Sequence, residues 1–170
     1  MKNTKLLIAG VFLTVALPFG AILLSSQAQL GELGRASVGE GEPLFPSRVP
    51  GLAVQGRDVY ISVGCIACHT QQVRPAGQGS DIARGYGARP SVARDYVLQP
   101  QVLLGDRRLG PDLANYGARA KDLSSVHVFI KHKGEFAFLY SGDAERANAL
   151  AAYLLSLRQD YSSPEAKLKK

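Results

Sequence analysis

Sulfur is scarce in this chain, whose 170 residues include two cysteines and one methionine. The cysteines, Cys65 and Cys68, form a single pair, so a zinc site built from two cysteine pairs is excluded. This pair could serve zinc only if His127 and His132 completed the ligand set. The sequence also lacks an evident internal repeat, and its length allows one modest domain with appendages.

A histidine follows the cysteine pair directly, giving Cys-Ile-Ala-Cys-His at residues 65–69. This spacing is the attachment signal for a c-type haem. On one turn of backbone, Cys65 and Cys68 can each form a thioether to a haem vinyl group, and His69 is then held where an imidazole nitrogen reaches the iron. The motif therefore predicts one covalent haem c and a function in electron transfer.

Two other uses of the cysteine pair stay open on spacing alone. A thioredoxin-like redox pair needs a preceding strand in a βαβ setting, whereas Gln55 to Gly64 has the spacing of a short helix. A disulfide between the two cysteines would make the histidine that follows them a coincidence. We therefore favour the haem interpretation.

The N-terminal segment contains an uncharged apolar run from Leu6 to Leu24, preceded by Lys2 and Lys5. Its length is close to the roughly 20 residues that a bilayer requires and exceeds the usual signal-peptide core of about 7 to 15 residues. We expect a membrane anchor over residues 1–28 with its positive end in the cytoplasm. The alternative is a signal peptide cleaved near residues 26–28. Either way the rest of the chain is exported, so we expect a haem domain on the periplasmic side of the bacterial cytoplasmic membrane.

The formal net charge of +6 is spread along the chain, apart from a basic tail at residues 161–170. Nucleic-acid binding is not expected, because it requires a basic face interleaved with stacking aromatic rings. Arginines near a haem can instead form charge-assisted hydrogen bonds with its propionates. Arg74 and Arg108 are our candidates for this role. Arg89, Arg107 and Arg119 are further possible partners.

Residues 29–51 are rich in Gly, Pro, Ser and Glu without apolar periodicity, which predicts a flexible linker. A globular domain is expected over residues 52–160, with a loop-like middle from Gln71 to Asp106. No segment of the domain alternates between apolar and polar residues for long enough to indicate a sheet, so the predicted fold class is all-α.

Two helices frame this domain. The first is short and ends at Gly64, and the second begins after Asp143 as its N-cap and ends near Leu157. We expect the two helices to cross near Gly56 and Tyr60, because a glycine allows two backbones to approach closely.

The chain resembles the membrane-anchored mono-haem subunit (subunit II) of cbb(3)-type cytochrome c oxidases. The resemblance covers roughly Leu52 to Ala120 and resumes from Phe136 to Leu157. It is carried by Gly-Arg-Asp-Val-Tyr at 56–60, Cys-Ile-Ala-Cys-His-Thr-Gln-Gln-Val-Arg-Pro at 65–75, Ser-Val-Ala-Arg-Asp-Tyr at 91–96, Leu-Leu-Gly-Asp-Arg-Arg at 103–108 and Gly-Pro-Asp-Leu-Ala at 110–114.

This resemblance implies a class I cytochrome c domain on a single N-terminal transmembrane helix. It also implies that Cys65 and Cys68 hold the haem and that His69 is the proximal iron ligand. The Pro111 carbonyl would accept the Nδ1 proton of His69, which fixes the histidine tautomer. The implied partners are the haem–copper catalytic subunit, which reduces oxygen, and other cytochromes c.

The chain departs from the family on the other face of the haem. Such subunits supply a methionine as the sixth ligand, but the only methionine here is Met1. Alignment of Phe136 to Tyr140 with the aromatic run of the family places Lys133 opposite the missing methionine, with His132 adjacent. We favour His132 as the distal ligand because a lysine must first lose its proton, at a cost on the order of 4–5 kcal/mol at pH 7. Lys133, His127 and an open site are the alternatives.

The leading hypothesis is therefore an electron carrier without further chemistry of its own, acting as a subunit or donor of a cbb(3)-type terminal oxidase. No acid–base constellation that would indicate an independent enzyme surrounds the motif. A haem-based gas or redox sensor with an open distal site is the first alternative. The small cytochrome c subunit of a nitric-oxide reductase is the second.

Overall fold

The computed structural model describes residues 2–31, 33–37, 39–105, 107–132 and 142–163. The chain forms two compact units, Met1–Gly34 and Arg35–Lys170. The helices and strands, in chain order, are α1 (Lys2–Leu30), β1 (Ala36–Ser37), β2 (Leu44–Phe45), α2 (Gly51–Ser62), α3 (Cys65–Cys68), a 3₁₀ helix (Ala93–Tyr96), α4 (Tyr116–Arg119), α5 (Leu123–His132) and α6 (Ala144–Ser156).

The first unit is dominated by α1, which contains Pro18 in its interior. The stretch from Asn3 to Gln29, 27 residues in length, is long and apolar enough to cross a membrane. No residue in its most apolar part is buried by other parts of the chain. A helix that is apolar all round is typical of a membrane span. The helix ends at Leu30, slightly beyond the anchor boundary that the sequence predicts.

The second unit begins with a small ribbon inside the segment that composition assigns to a flexible linker. Strands β1 and β2 pair antiparallel, and Arg35 donates hydrogen bonds to the carbonyls of Pro46 at 2.9 Å and Leu44 at 3.0 Å. The Phe45 ring stacks on Tyr161 with 4.6 Å between the ring centroids. Within the predicted linker, contacts made by one arginine and one aromatic ring therefore order the two short strands, although this stretch lacks apolar periodicity.

The predicted basic tail begins with residues that pack against the domain. Tyr161 and Ser163 are buried, so the described beginning of that segment is packed. Residues 164–170 lie outside the described residues.

The centre of the domain is the crossing of α2 and α6, which confirms the predicted contact. A Cβ atom added at Gly56 would lie 1.8 Å from the backbone oxygen of Ala149, so the two backbones touch there. One turn further along α2, the Tyr60 ring meets Tyr153 edge-on, with 5.5 Å between centroids. Helix α2 is longer than predicted and begins at Gly51, because the Pro50 carbonyl accepts the first amide hydrogen bonds of the helix.

Helix α6 matches the sequence prediction at both ends. Asp143 accepts a hydrogen bond from the backbone N–H of Arg146 at 3.1 Å, which is an N-cap bond, and the helix gives way to extended backbone at Leu157. Its buried face, which includes Leu150 and Leu154, supplies much of the hydrophobic core.

Helix α5, which packs against α6, was not predicted from the sequence. Val126 and Ile130, four residues apart, are buried in the core, whereas Val128 and Phe129 are exposed. The fold is helical apart from the two-residue strands among the described residues, so the predicted all-α class is confirmed.

Replacement of Gly56 by alanine should destabilise the domain by about 3 kcal/mol, because the new methyl group overlaps the α6 backbone. Urea unfolding should show a lower midpoint with an unchanged slope. The control is Gly51→Ala at the start of α2, where an added Cβ meets nothing within 4 Å. The control should change the free energy of unfolding by less than about 1 kcal/mol. Equal losses in the two variants would contradict the crossing.

Candidate haem-binding site

The cysteine–histidine motif occupies one turn of helix and the residue after it. Helix α2 ends at Ser62, and Gly64 adopts a left-handed conformation with φ +80° and ψ 14°, which turns the chain into α3. Few residues other than glycine adopt this conformation readily. Both Cys65 and Cys68 therefore lie on a single helical turn, and His69 follows in extended backbone with φ −113° and ψ 122°.

The ring of His69 is held by the loop that contains Pro111. The Nδ1 atom lies 2.9 Å from the Pro111 carbonyl oxygen. Because a carbonyl can only accept, Nδ1 carries a proton, and in the neutral ring the lone pair is then on Nε2. Gly110 lies against the same ring, since a Cβ at that position would be 2.1 Å from Cε1. The Gly110 N–H also donates to the Cys68 carbonyl at 3.1 Å, which ties the loop to the motif.

This donor set fits a c-type haem. Two unpaired thiols lie one helical turn apart, and the next residue presents an imidazole nitrogen whose lone pair is free for iron. Within the described residues, no group of three or more His, Cys, Asp or Glu side chains could hold a metal ion, so the zinc alternative has no ligand set here. The cysteines do not form a disulfide, and the element before them is a helix rather than a strand.

Cys65 has a shifted acid–base equilibrium. Burial raises the pKa of its thiol to about 11, so the group stays protonated at neutral pH. Because the thiolate is the form that oxidises, this environment protects an unattached Cys65 thiol.

The backbone that follows the motif is held by side chains from distant parts of the loop. The N–H of Gln72 donates to Asp112 at 2.8 Å, that of Val73 donates to Ser91 at 2.9 Å, and that of Arg74 donates to Asp81 at 2.9 Å. These bonds order an irregular stretch whose backbone does not form the regular hydrogen bonds of a helix or sheet.

Asp81 brings both predicted propionate partners together. Arg74 donates to its carboxylate through Nε at 3.0 Å and Nη2 at 2.9 Å, and Arg108 donates through Nη1 at 2.9 Å. Arg108 also donates to the Gln72 carbonyl at 2.7 Å and lies 3.9 Å from Asp112. Burial by itself would raise the pKa of Asp81, but the hydrogen bonds from Arg74 and Arg108 outweigh it and hold that pKa well below its usual range. Asp81 was not among the predicted site residues, because its partners Arg74 and Arg108 lie 7 and 27 positions away and no local pattern joins the three.

The other candidate arginines have different surroundings. Arg89 binds the buried carboxylate of Asp95 at 2.8 Å and lies over the Tyr161 ring. Arg119 donates to the Asp112 carbonyl at 2.6 Å. Arg107 is exposed, with its backbone N–H 3.3 Å from the Ala67 carbonyl.

The predicted distal ligand lies at the C-terminal end of α5. The side chain of His132 is exposed, and its Nδ1–H donates to the Val128 carbonyl at 2.9 Å, so its Nε2 lone pair is free. His127 lies in the middle of the same helix and is half-buried. Lys133 and the aromatic run from 136 to 140 lie outside the described residues.

A cavity of about 660 Å³ opens elsewhere in the domain, between the segment after β2, one side of α2, residues 98–100 and the end of α6. Its lining includes Gln71 but none of Cys65, Cys68, His69 or Pro111. The cavity is therefore separate from the cysteine–histidine motif.

Loss of the Asp81 carboxylate in Asp81→Asn should lower the free energy of unfolding at pH 7 by about 2 kcal/mol, since two charge-assisted partners lose their acceptor. The folded-state pKa lies below the unfolded value of about 3.9. The wild-type advantage should therefore be complete above that value and decline as the pH falls through the folded pKa.

Denaturant titrations between about pH 2 and 7 would measure this difference. The control is Asp160→Asn, which breaks a pair with Arg158 whose side chains are 41% and 57% exposed. That variant should differ from wild type by no more than about 0.5 kcal/mol. A gap between Asp81→Asn and wild type that widens as the solution becomes more acidic would contradict the predicted sign.

Comparison with protein families shows which family the chain resembles. The family described as cytochrome c oxidase, mono-heme subunit/FixO, matches residues 47–131, which is half of the chain. The matched stretch holds α2, the cysteine–histidine motif, Asp81 and Pro111. No curated protein matches the chain. With its helical fold and its apolar N-terminal helix, this chain belongs to the mono-haem subunit family of cbb(3)-type cytochrome c oxidases, whose function is electron transfer.

Proposed function

We propose that this protein carries electrons through one haem c bound covalently by Cys65 and Cys68, with His69 as the proximal iron ligand. The observation that carries the proposal is the bond from His69 Nδ1–H to the Pro111 carbonyl at 2.9 Å. That bond leaves Nε2 as a metal donor one residue after a turn bearing two free thiols.

The bound haem supplies a one-electron couple between ferrous and ferric iron. The residues around the iron set the reduction potential of that couple. The Pro111 carbonyl fixes the tautomer and orientation of His69 and increases the basicity of its Nε2. Gly110 leaves room for the ring to lie flat against the loop, so the orientation is held by contact as well as by the hydrogen bond.

We propose Arg74 and Arg108 as propionate partners. Their bonds to Asp81 use only part of each guanidinium, because each group has five N–H donors. Asp81 thus orients both groups, and the remaining donors can bind carboxylates of the haem.

We propose His132 as the distal ligand. Its Nδ1–H bond to Val128 selects the tautomer with a free Nε2, as the Pro111 bond does for His69. With histidine in place of methionine, the protein would have a lower reduction potential than a carrier with a methionine ligand.

We further propose that α1 is retained as a membrane anchor and that the haem domain faces the periplasm. Helix α1 has the length and composition of a span, and Lys2 and Lys5 would keep its N-terminus in the cytoplasm. The partners in this arrangement are the haem–copper catalytic subunit and other cytochromes c.

Gas binding is a second candidate function, favoured by the absence of any methionine besides Met1. If no side chain reaches the sixth position, the iron can bind a small molecule such as carbon monoxide. The distal-ligand experiment below separates the two functions.

Covalent attachment is tested by mass spectrometry of the mature protein. The wild type should carry the mass of one haem, which should resist denaturation and acid extraction, and the Cys65→Ala/Cys68→Ala variant should carry none. Two unmodified thiols in the wild type would refute the proposed function.

The distal ligand is tested by reduced-minus-oxidised spectra with and without carbon monoxide. The wild type should be low-spin and should not bind carbon monoxide, whereas His132→Ala should bind it rapidly. His127→Ala is the control on the same helix and should behave as wild type. Rapid binding by the wild type would support the gas-binding function, and a spectrum that only Lys133→Ala changes would move the assignment to Lys133.

Association with the oxidase is tested by purification after mild detergent extraction. The full chain should copurify with the haem–copper catalytic subunit. Recovery of the protein solely as an isolated monomer would argue against a stable subunit.

A further inference from the structure

Three tyrosine hydroxyls bind the segment His69–Gln71, which contains the predicted proximal histidine, two of them at backbone carbonyls and one at a side chain. Tyr60 donates to the His69 carbonyl at 3.1 Å, Tyr96 donates to the Gln71 carbonyl at 2.8 Å, and Tyr153 donates to the Gln71 side-chain oxygen at 2.9 Å. The rings come from α2, the 3₁₀ helix and α6. We refer to these three tyrosines as the tyrosine clamp.

The His69 carbonyl depends on this clamp for its hydrogen bond. Helix α3 ends at Cys68, so the extended backbone of His69 directs its carbonyl away from the helical pattern. Among the described residues, the donor found for this oxygen is the Tyr60 hydroxyl, and no backbone N–H takes its place. Tyr60 is 1% exposed, and burial raises its pKa far above the ordinary value, so the hydroxyl remains a donor at physiological pH.

The backbone of His69 is held on both sides of its Cα atom. Its N–H donates to the Cys65 carbonyl at 2.9 Å, and its carbonyl accepts from Tyr60. These two bonds restrict the peptide planes on either side of His69, and the Nδ1–H bond to Pro111 restricts its two side-chain torsions. A shift of either peptide plane would therefore change the distance from Nδ1 to the Pro111 carbonyl.

We propose that Tyr60 is a positioning residue that, through the His69 carbonyl, holds the imidazole in place for its hydrogen bond to Pro111 and so controls the electron-donating strength of His69. The inference rests on the proposed function, in which His69 is the proximal ligand. Tyr153 has a weaker role, because it acts on the side chain of Gln71, two residues further on.

Tyr60→Phe in the haem-loaded protein tests this inference. Phenylalanine keeps the ring that packs edge-on against Tyr153 and removes only the hydroxyl. Exchange of the His69 Nδ1 proton with solvent, followed by NMR, should accelerate roughly two- to tenfold, as expected for the loss of one hydrogen bond. The reduction potential should rise, because a weaker Nδ1–H bond makes the imidazole a poorer donor to ferric iron.

Tyr161→Phe is the matched control. Its hydroxyl is also buried and hydrogen-bonded, but to the carboxylate of Asp95 and not to the haem segment. This variant should lose stability in urea while the exchange rate and the potential stay at wild-type values. The inference is overturned if Tyr60→Phe leaves both readouts unchanged, or if Tyr161→Phe shifts them equally.

The experiment also separates this inference from the proposed function. If the wild type holds no covalent haem, or if iron does not shift the His69 ring signals, the proposed function fails and takes the inference with it. If both signals are present and Tyr60→Phe has no effect, only the inference fails.

Discussion

The contact between the backbones of α2 and α6 at Gly56 is the constraint on which the haem-binding unit depends. It sets the distance between the two longest helices of the domain, so that Tyr60 and Tyr153 meet one turn further along. From there both tyrosines reach the segment that follows α3, where their hydroxyls bind His69 and Gln71. A side chain at residue 56 would separate the helices and move both hydroxyls away from the segment they hold.

The irregular middle of the domain follows a different principle. Its backbone N–H groups bind carboxylates and a hydroxyl rather than the carbonyls of a neighbouring strand or helical turn. Each of Asp81, Asp112 and Ser91 accepts a hydrogen bond from one backbone N–H of the segment after the motif. Because buried polar groups without partners are costly, such a network is stable only when most of its members are satisfied. The two guanidiniums on Asp81 provide the positive charge that a buried carboxylate requires.

The elements that sequence analysis predicted well are those that local patterns specify. The motif turn, the N-cap at Asp143 and the close approach at Gly56 depend on residue type and short spacing, which are visible in the sequence. Local patterns did not predict α5 or the ribbon before α2. The ribbon is ordered by Arg35 and by the stacking of Phe45 on Tyr161, a contact between residues more than a hundred positions apart. The clustering of Arg74 and Arg108 on Asp81 was not predicted for the same reason, although their charge makes both arginines candidates for a carboxylate partner.

The sequence by itself predicted the chemistry of the site, because thioether attachment and iron ligation need two thiols and an imidazole at a spacing that one turn of helix satisfies. It also determined the helical class and the apolar N-terminal segment, which follow from local composition. Only the tertiary structure decided which nitrogen of His69 is free, since that depends on a carbonyl 42 residues away. It likewise decided which tyrosine hydroxyls bind the backbone of His69 and Gln71. Hydrogen bonds between distant segments depend on tertiary packing, which a local sequence pattern does not specify.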